Sequence, residues 1–146
     1  MRGRTGYRYV EHMADVKFLA YGKTREELFV NSAMALFNIM ASTAAVEKQK
    51  SEDKYISIRV HAANEETLLW RFLQQCLSLL EVRGLFAFGV ESLHISGKQQ
   101  LALGCRLKCK DMDVRHSKLE AKGISKYDMH ITKGMNGIEA SVVVDV

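Results

Sequence analysis

From Asn64 to Gly84 the chain is written as a helix closed at both ends, and such a helix needs a partner. Asn64 is a favourable N-cap, because its side-chain oxygen can accept a backbone N–H of the first turn. Glu65 and Glu66 come next and suit the positive end of the helix dipole. Leu68, Leu69, Phe72, Leu73, Cys76, Leu77 and Leu80 then give a broad apolar face at helical spacing. Gly84 is a plausible terminator, since glycine enters the left-handed cap conformation at little steric cost. A second segment obeys the same grammar. Thr24-Arg25-Glu26-Glu27 is a capping box, and Leu28, Phe29, Ala33, Leu36, Phe37 and Met40 carry the helix to about Met40. Two amphipathic helices require a common apolar surface, so the remaining residues have to supply a sheet.

They do so as strands. Val16 to Tyr21 is one. Tyr55 to Ala62 alternates, with Ile56, Ile58 and Val60 on one face. Leu93 to Ser96 and Leu101 to Cys109 are predicted to form a hairpin around Gly97-Lys98. In its second arm Leu101, Leu103, Cys105, Leu107 and Cys109 share a face at period two. Tyr127 to Lys133 and Ile138 to Val146 form another, turned by Lys133-Gly134-Met135-Asn136-Gly137. There is no proline, no repeat and no low-complexity linker. The expectation is one α+β domain over residues 1–146, with two α-helices packed on a mostly antiparallel or mixed β-sheet.

Composition removes several function classes. No stretch approaches the roughly 18 apolar residues of a membrane-spanning helix. Residues 1–15 are basic but have no apolar region behind them, so they do not read as a secretory signal. Three cysteines are too few and too odd in number for a disulfide framework, which points to a reducing, cytoplasmic setting. Net charge is +4, from 21 basic and 17 acidic residues. The basic residues are spread out. Arg2, Arg4 and Arg8 read as an N-terminal arm. Lys48, Lys50 and Lys54 are interleaved with Glu47, Glu52 and Asp53, as in a solvated loop. This is a solubilising surface rather than a nucleic-acid footprint.

Four clusters could carry chemistry. Cys105 and Cys109, with His116 beyond them, have too few soft ligands for tetrahedral zinc and share an inward strand face, so they read as buried thiols. Cys76, on the apolar face of its helix, reads the same way. Asp111, Asp113 and His116 crowd one loop but lack the glycine and glutamate of a calcium-binding EF-hand, and a charged turn explains them. Glu11, His12 and Asp15 precede an apolar strand, where loop carboxylates and a surface histidine are ordinary. Finally, Ser141 to Val146 is an apolar β-forming run. If it lies in the sheet, Asp145 is a carboxylate on a rigid element, and the oxygens of Val146 lie one residue away. Hard cations such as Ca2+ or Mg2+ favour clustered oxygens of this kind. Spacing alone does not say which other carboxylate Asp145 faces.

Five segments in order resemble one family. Tyr9-Val10-Glu11-His12-Met13-Ala14-Asp15-Val16 is similar to the archease signature, which usually reads Tyr-x-x-Asp-His-Thr-Ala-Asp. Gly22 to Met40 resembles that family's strand, turn and helix, and Leu68 to Leu73 its second helix. His116 to Met129 is similar to a stretch ending in Thr-Tyr-His, and Val142 to Val146 to the short apolar tail with its aspartate. Met13, Ser125, Lys126 and Tyr127 depart from the usual residues.

The resemblance implies an accessory protein, not an enzyme, that activates an RtcB-type RNA ligase in tRNA splicing. Such proteins promote guanylylation and multiple turnover of the ligase, with indirect contact with tRNA and GTP, and hold a divalent metal, calcium. Carried over, the metal ligands are Asp15, Asp145 and Val146, and ligase-activation contacts fall on His12 and Lys122. Two other classes stay open: a general chaperone or RNA-binding module, and a metallohydrolase built on Asp111, Asp113 and His116.

Overall fold

The computed structural model describes residue 4, residues 6–11 and residues 15–146. The architecture is α+β, as predicted, but the strands divide between two sheets. The first contains β1 (Gly6–Glu11), β2 (Asp15–Gly22), β8 (Gly137–Asp145) and β6 (Gly123–Ile124) in that order, with β7 (His130–Gly134) also pairing with β8. The second contains β3 (Lys54–Ala62), β5 (Leu101–Asp111) and β4 (Leu85–Ser96), with β5 central. Every strand pair is antiparallel.

Both long helices form where their caps place them. α1 spans Arg25–Met40, and the Thr24 hydroxyl accepts from the Glu27 N–H. The other long helix, α3, spans Glu65–Arg83; Asn64 accepts from the Thr67 N–H, and Gly84 closes it at φ 64°, in the left-handed region. Between them lies α2 (Thr43–Lys48), which the sequence pattern misses because it has six residues and buries only Val46. α1 packs on β2 and β4, and α3 on β3, β4 and β5, so the helices join the two sheets. Leu28, Phe29, Leu36, Leu68, Phe72 and Leu107 are fully buried in the core they share with Phe18, Val142 and Val144. Phe29 of α1 stacks on Phe72 of α3 at 6.2 Å.

Period-two patterning on β5 holds throughout: Leu101, Leu103, Cys105, Leu107 and Cys109 are all buried. β4 is longer than predicted. Leu85 to Phe88 are buried in succession because Leu85 and Ala87 join the main core while Phe86 and Phe88 pack with Val46 of α2, Ala41 and Leu80. Arg8 is no loose arm. It lies in β1, and its Nε donates to the Tyr21 hydroxyl at 3.2 Å. No helix of the described residues is long and apolar enough to cross a membrane.

Candidate metal centre

The two ends of the first sheet's central pair bring distant residues together. β2 and β8 run antiparallel, and Asp15 lies directly opposite Asp145 in their register. Directly opposed residues on neighbouring strands have Cβ atoms roughly 4.5–5.5 Å apart. Like charges at that separation repel, and a hard cation relieves the repulsion while taking the oxygens as ligands. β8 carries buried Ala140, Val142 and Val144 between β2 and β6, so the run is anchored as predicted. Asp145 itself is exposed at the strand end, with Val146 half-buried beside it. Its charge is therefore not buried, although it ends an apolar strand. Asp15 is half-buried.

The other flank is built by β6. Gly123 faces Asp145 in register, and the Lys122 N–H donates to the Asp145 carbonyl at 2.7 Å. A Cβ on Gly123 would lie 3.9 Å from Asp145 Oδ2, an ordinary contact. Two side chains of α3 hold this short strand. Trp70 Nε1 donates to the Ile124 carbonyl at 2.8 Å, and the Ile124 N–H donates to Gln74 Oε1 at 3.0 Å. Lys126 lies over the Trp70 ring, 5.3 Å from its centre. Trp70 and Gln74 thus place Lys122 beside Asp145. The apolar helix pattern hides that task, because it marks the buried face and not hydrogen bonds to a neighbouring strand. The side chain of Lys122 is exposed. His12 lies outside the described residues.

Among the described residues, no three His, Cys, Asp or Glu side chains converge as a metal site. A cation held here would rest on two carboxylates and the oxygens of Val146, a donor set that suits Ca2+ or Mg2+ and not tetrahedral zinc. The residues fit a hard cation.

The rival clusters resolve as structure. Asp111 pairs with Lys54 at 2.8 Å. Asp113 caps the turn at Val114–His116 and grips Arg115 at 2.6 Å; hydrogen bonds from that guanidinium lower its pKa to about 2. Both carboxylates of the hydrolase reading are therefore already engaged. The three cysteines are free and buried. Burial raises the pKa of Cys105 to about 11 and of Cys109 to about 12, and drives Cys76 well up. Thiols in the unfolded chain ionise near pH 8.5. Between there and about 11–12 the unfolded state sheds protons first, so stability falls as pH rises through this window. Melting between about pH 8 and pH 10 should show that decline, shallower in Cys109→Ala than in the parent, and iodoacetamide should leave the native thiols unmodified at neutral pH. Equal slopes in the two proteins would assign the decline to other groups.

The sequence pattern of the archease protein family matches residues 7–146. The chain belongs to the archease family. Protein archease of Methanosarcina barkeri is 36% identical over 146 residues, covering 96% of this chain and 95% of that one. Its counterpart in Thermococcus gammatolerans is 32% identical over 137 residues, covering 90% and 91%. The archease fold is shared with protein 1598 of Methanobacterium thermoautotrophicum, at TM-score 0.79 and 24% identity over 97% of this chain and 99% of that one. An archease from Thermotoga maritima, described as a possible chaperone, aligns at TM-score 0.56 and 18% identity, with 94% of each chain covered.

Proposed function

We propose that this protein is an accessory factor that activates an RtcB-type RNA ligase in tRNA splicing, using a divalent cation, Ca2+, held by Asp15, Asp145 and the oxygens of Val146. Membership of the archease family supports the class of protein. The observation that carries the site is that Asp15 and Asp145, from opposite ends of the sequence, are direct cross-strand neighbours.

A bound cation supplies charge neutralisation and a coordination position for a phosphate oxygen. The chain's own residues do the placing. Trp70 and Gln74 fix β6, and β6 fixes Lys122 next to Asp145. The Lys122 ammonium is a flexible point charge that can meet a phosphate at the ligase's active site. Guanylylation depends on positioning the nucleotide and offsetting its charge, and in this reading the attacking histidine is the ligase's.

The test is ligation by the cognate RtcB-type ligase with substoichiometric amounts of this protein. Wild type is expected to sustain multiple turnover and raise guanylylation. Asp15→Ala and Asp145→Ala are each expected to reduce the stimulation by about tenfold or more, the scale on which outer-sphere changes alone weaken metal sites. Full stimulation by both variants would overturn the metal-dependent reading.

A further inference from the structure

The outer face of the second sheet gathers cations that lie far apart in the sequence. On β3 the buried Ile58, Val60 and Ala62 alternate with exposed Ser57, Arg59 and His61. β5 and β4 add exposed Arg106, His94 and Ser96 on the same side. These six residues line an open groove of about 550 Å³. No carboxylate lines it among the described residues.

The groove is shaped by an irregularity in β4. The pairing of β4 with β5 shifts register between Glu91 and His94. Ser92 takes φ 54°, a left-handed conformation rare for a residue with a side chain. Its carbonyl lies 3.3 Å from His94 Nδ1. A bulge of this kind re-aims the side chain that follows it. Here the His94 imidazole is brought over Gly104 of β5. A Cβ on Gly104 would sit 3.1 Å from the ring, so the glycine leaves the space the ring occupies. Strained backbone of this sort concentrates at functional surfaces.

Charge and flat rings occur together. Arg59 is exposed and has no ion pair among the described residues. Arg106 bonds Glu91 at 2.7 Å and lies over the ring of the exposed Tyr55 at 4.5 Å.

We propose that this face binds single-stranded RNA, its phosphates on Arg59 and its bases against His94 and His61, with Arg106 held by Glu91 at the rim. A basic groove with flat rings for bases is the recognition chemistry of single strands. Alternate residues of a strand recur about every 6.6 Å, a repeat that an extended sugar–phosphate chain can follow. An acidic peptide would use the guanidiniums and leave the rings without a stacking partner.

The assay is fluorescence anisotropy of a labelled oligouridine RNA with the full chain, at about 50 and about 200 mM NaCl. Wild type is expected to bind, and to bind several-fold more weakly at the higher salt. Arg59→Glu is expected to weaken binding at least tenfold and to flatten the salt dependence. Arg59→Gln and His94→Ala are expected to show intermediate losses, with melting curves matching wild type. Four results overturn the proposal: no wild-type binding at the lower salt, unchanged binding by Arg59→Glu, displacement by uridine monophosphate at matched nucleotide concentration, or equal displacement by polyglutamate. The proposal does not depend on the ligase reading. Asp15→Ala and Asp145→Ala should bind RNA as wild type does, and loss of RNA binding in them would overturn it as well.

Discussion

Asp145→Asn is expected to reverse its effect on stability when calcium is added. Without a divalent cation, Asp15 and Asp145 oppose one another across β2 and β8, and removing one charge should stabilise the chain by about 0.2–1 kcal/mol. With the cation at about 100 times its dissociation constant, a native-state ligand adds roughly 2.7 kcal/mol to the wild type. For a domain of this size that is a rise in Tm of roughly 5–10 °C. The variant should gain little of it, so wild type becomes the more stable protein. Asp15→Asn should likewise gain little Tm from calcium. Thermal melts in chelator and in excess calcium decide the point. A variant whose Tm climbs with calcium as far as wild type would remove Asp145 from the ligand set. Deleting Val146 with the calcium-dependent rise left intact would remove its oxygens.

Gly22→Ala should cost about 3 kcal/mol or more, at the upper end of overpacking effects. The glycine ends β2 and faces the start of α1. A Cβ there would lie 2.4 Å from the Leu28 nitrogen, 2.8 Å from the Thr24 carbonyl oxygen and 2.9 Å from Leu28 Cα. All three are main-chain atoms, so no side chain can rotate aside. Gly137 closes the same junction at φ 136°, where an added Cβ would approach the Gly22 carbonyl oxygen to 2.8 Å. The helix would have to lift from the sheet, taking the Thr24 cap with it. Urea unfolding should show the loss as a lower midpoint at unchanged slope. A change within about 0.5 kcal/mol would mean that α1 shifts freely on the sheet.

What could be read beforehand was local chemistry. Thr24, Asn64 and Gly84 mark helix ends because capping is settled within four residues, and each acts as its position predicts. The inward face of β5 was visible because burial at period two is written into a single strand. Strand partnership is not written that way. Alternation says which side of a strand is covered, and nothing about which strand lies beside it, so two sheets were expected as one. β1 escaped notice because Arg8 and Tyr9 are exposed and Tyr7 is only half-buried, leaving no clear alternation. Lys110 went unnoticed for the opposite reason. It is only 5% exposed, and its ammonium donates to the Glu47 carbonyl at 2.8 Å, a contact made by α2 that no pattern in β5 announces.

The site divides similarly. Asp145 could be suspected from an acidic residue in an apolar tail, but its facing residue came from the family resemblance. Trp70 and Gln74 gave no signal, since hydrogen bonding to the backbone of β6 is a tertiary event. Arg59, His61, His94 and Arg106 looked scattered because the sheet that assembles them was not visible along the chain.

The middle position of β8 has a consequence for synthesis. Among the described residues β8 follows every other strand, yet β2 and β6 meet only through it. While a ribosome is still making residues 137–145, β2 has an open edge and Asp15 lacks its cross-strand neighbour Asp145. The second sheet and both long helices are by then complete in sequence and can begin to pack. Pairing β2 with β8 closes a loop that includes nearly the whole chain, a slow step by its contact separation. An interrupted translation product would therefore lack the centre of one sheet and half of the aspartate pair together. Partial chains would expose the unpaired edge of β2, a template for pairing with another chain.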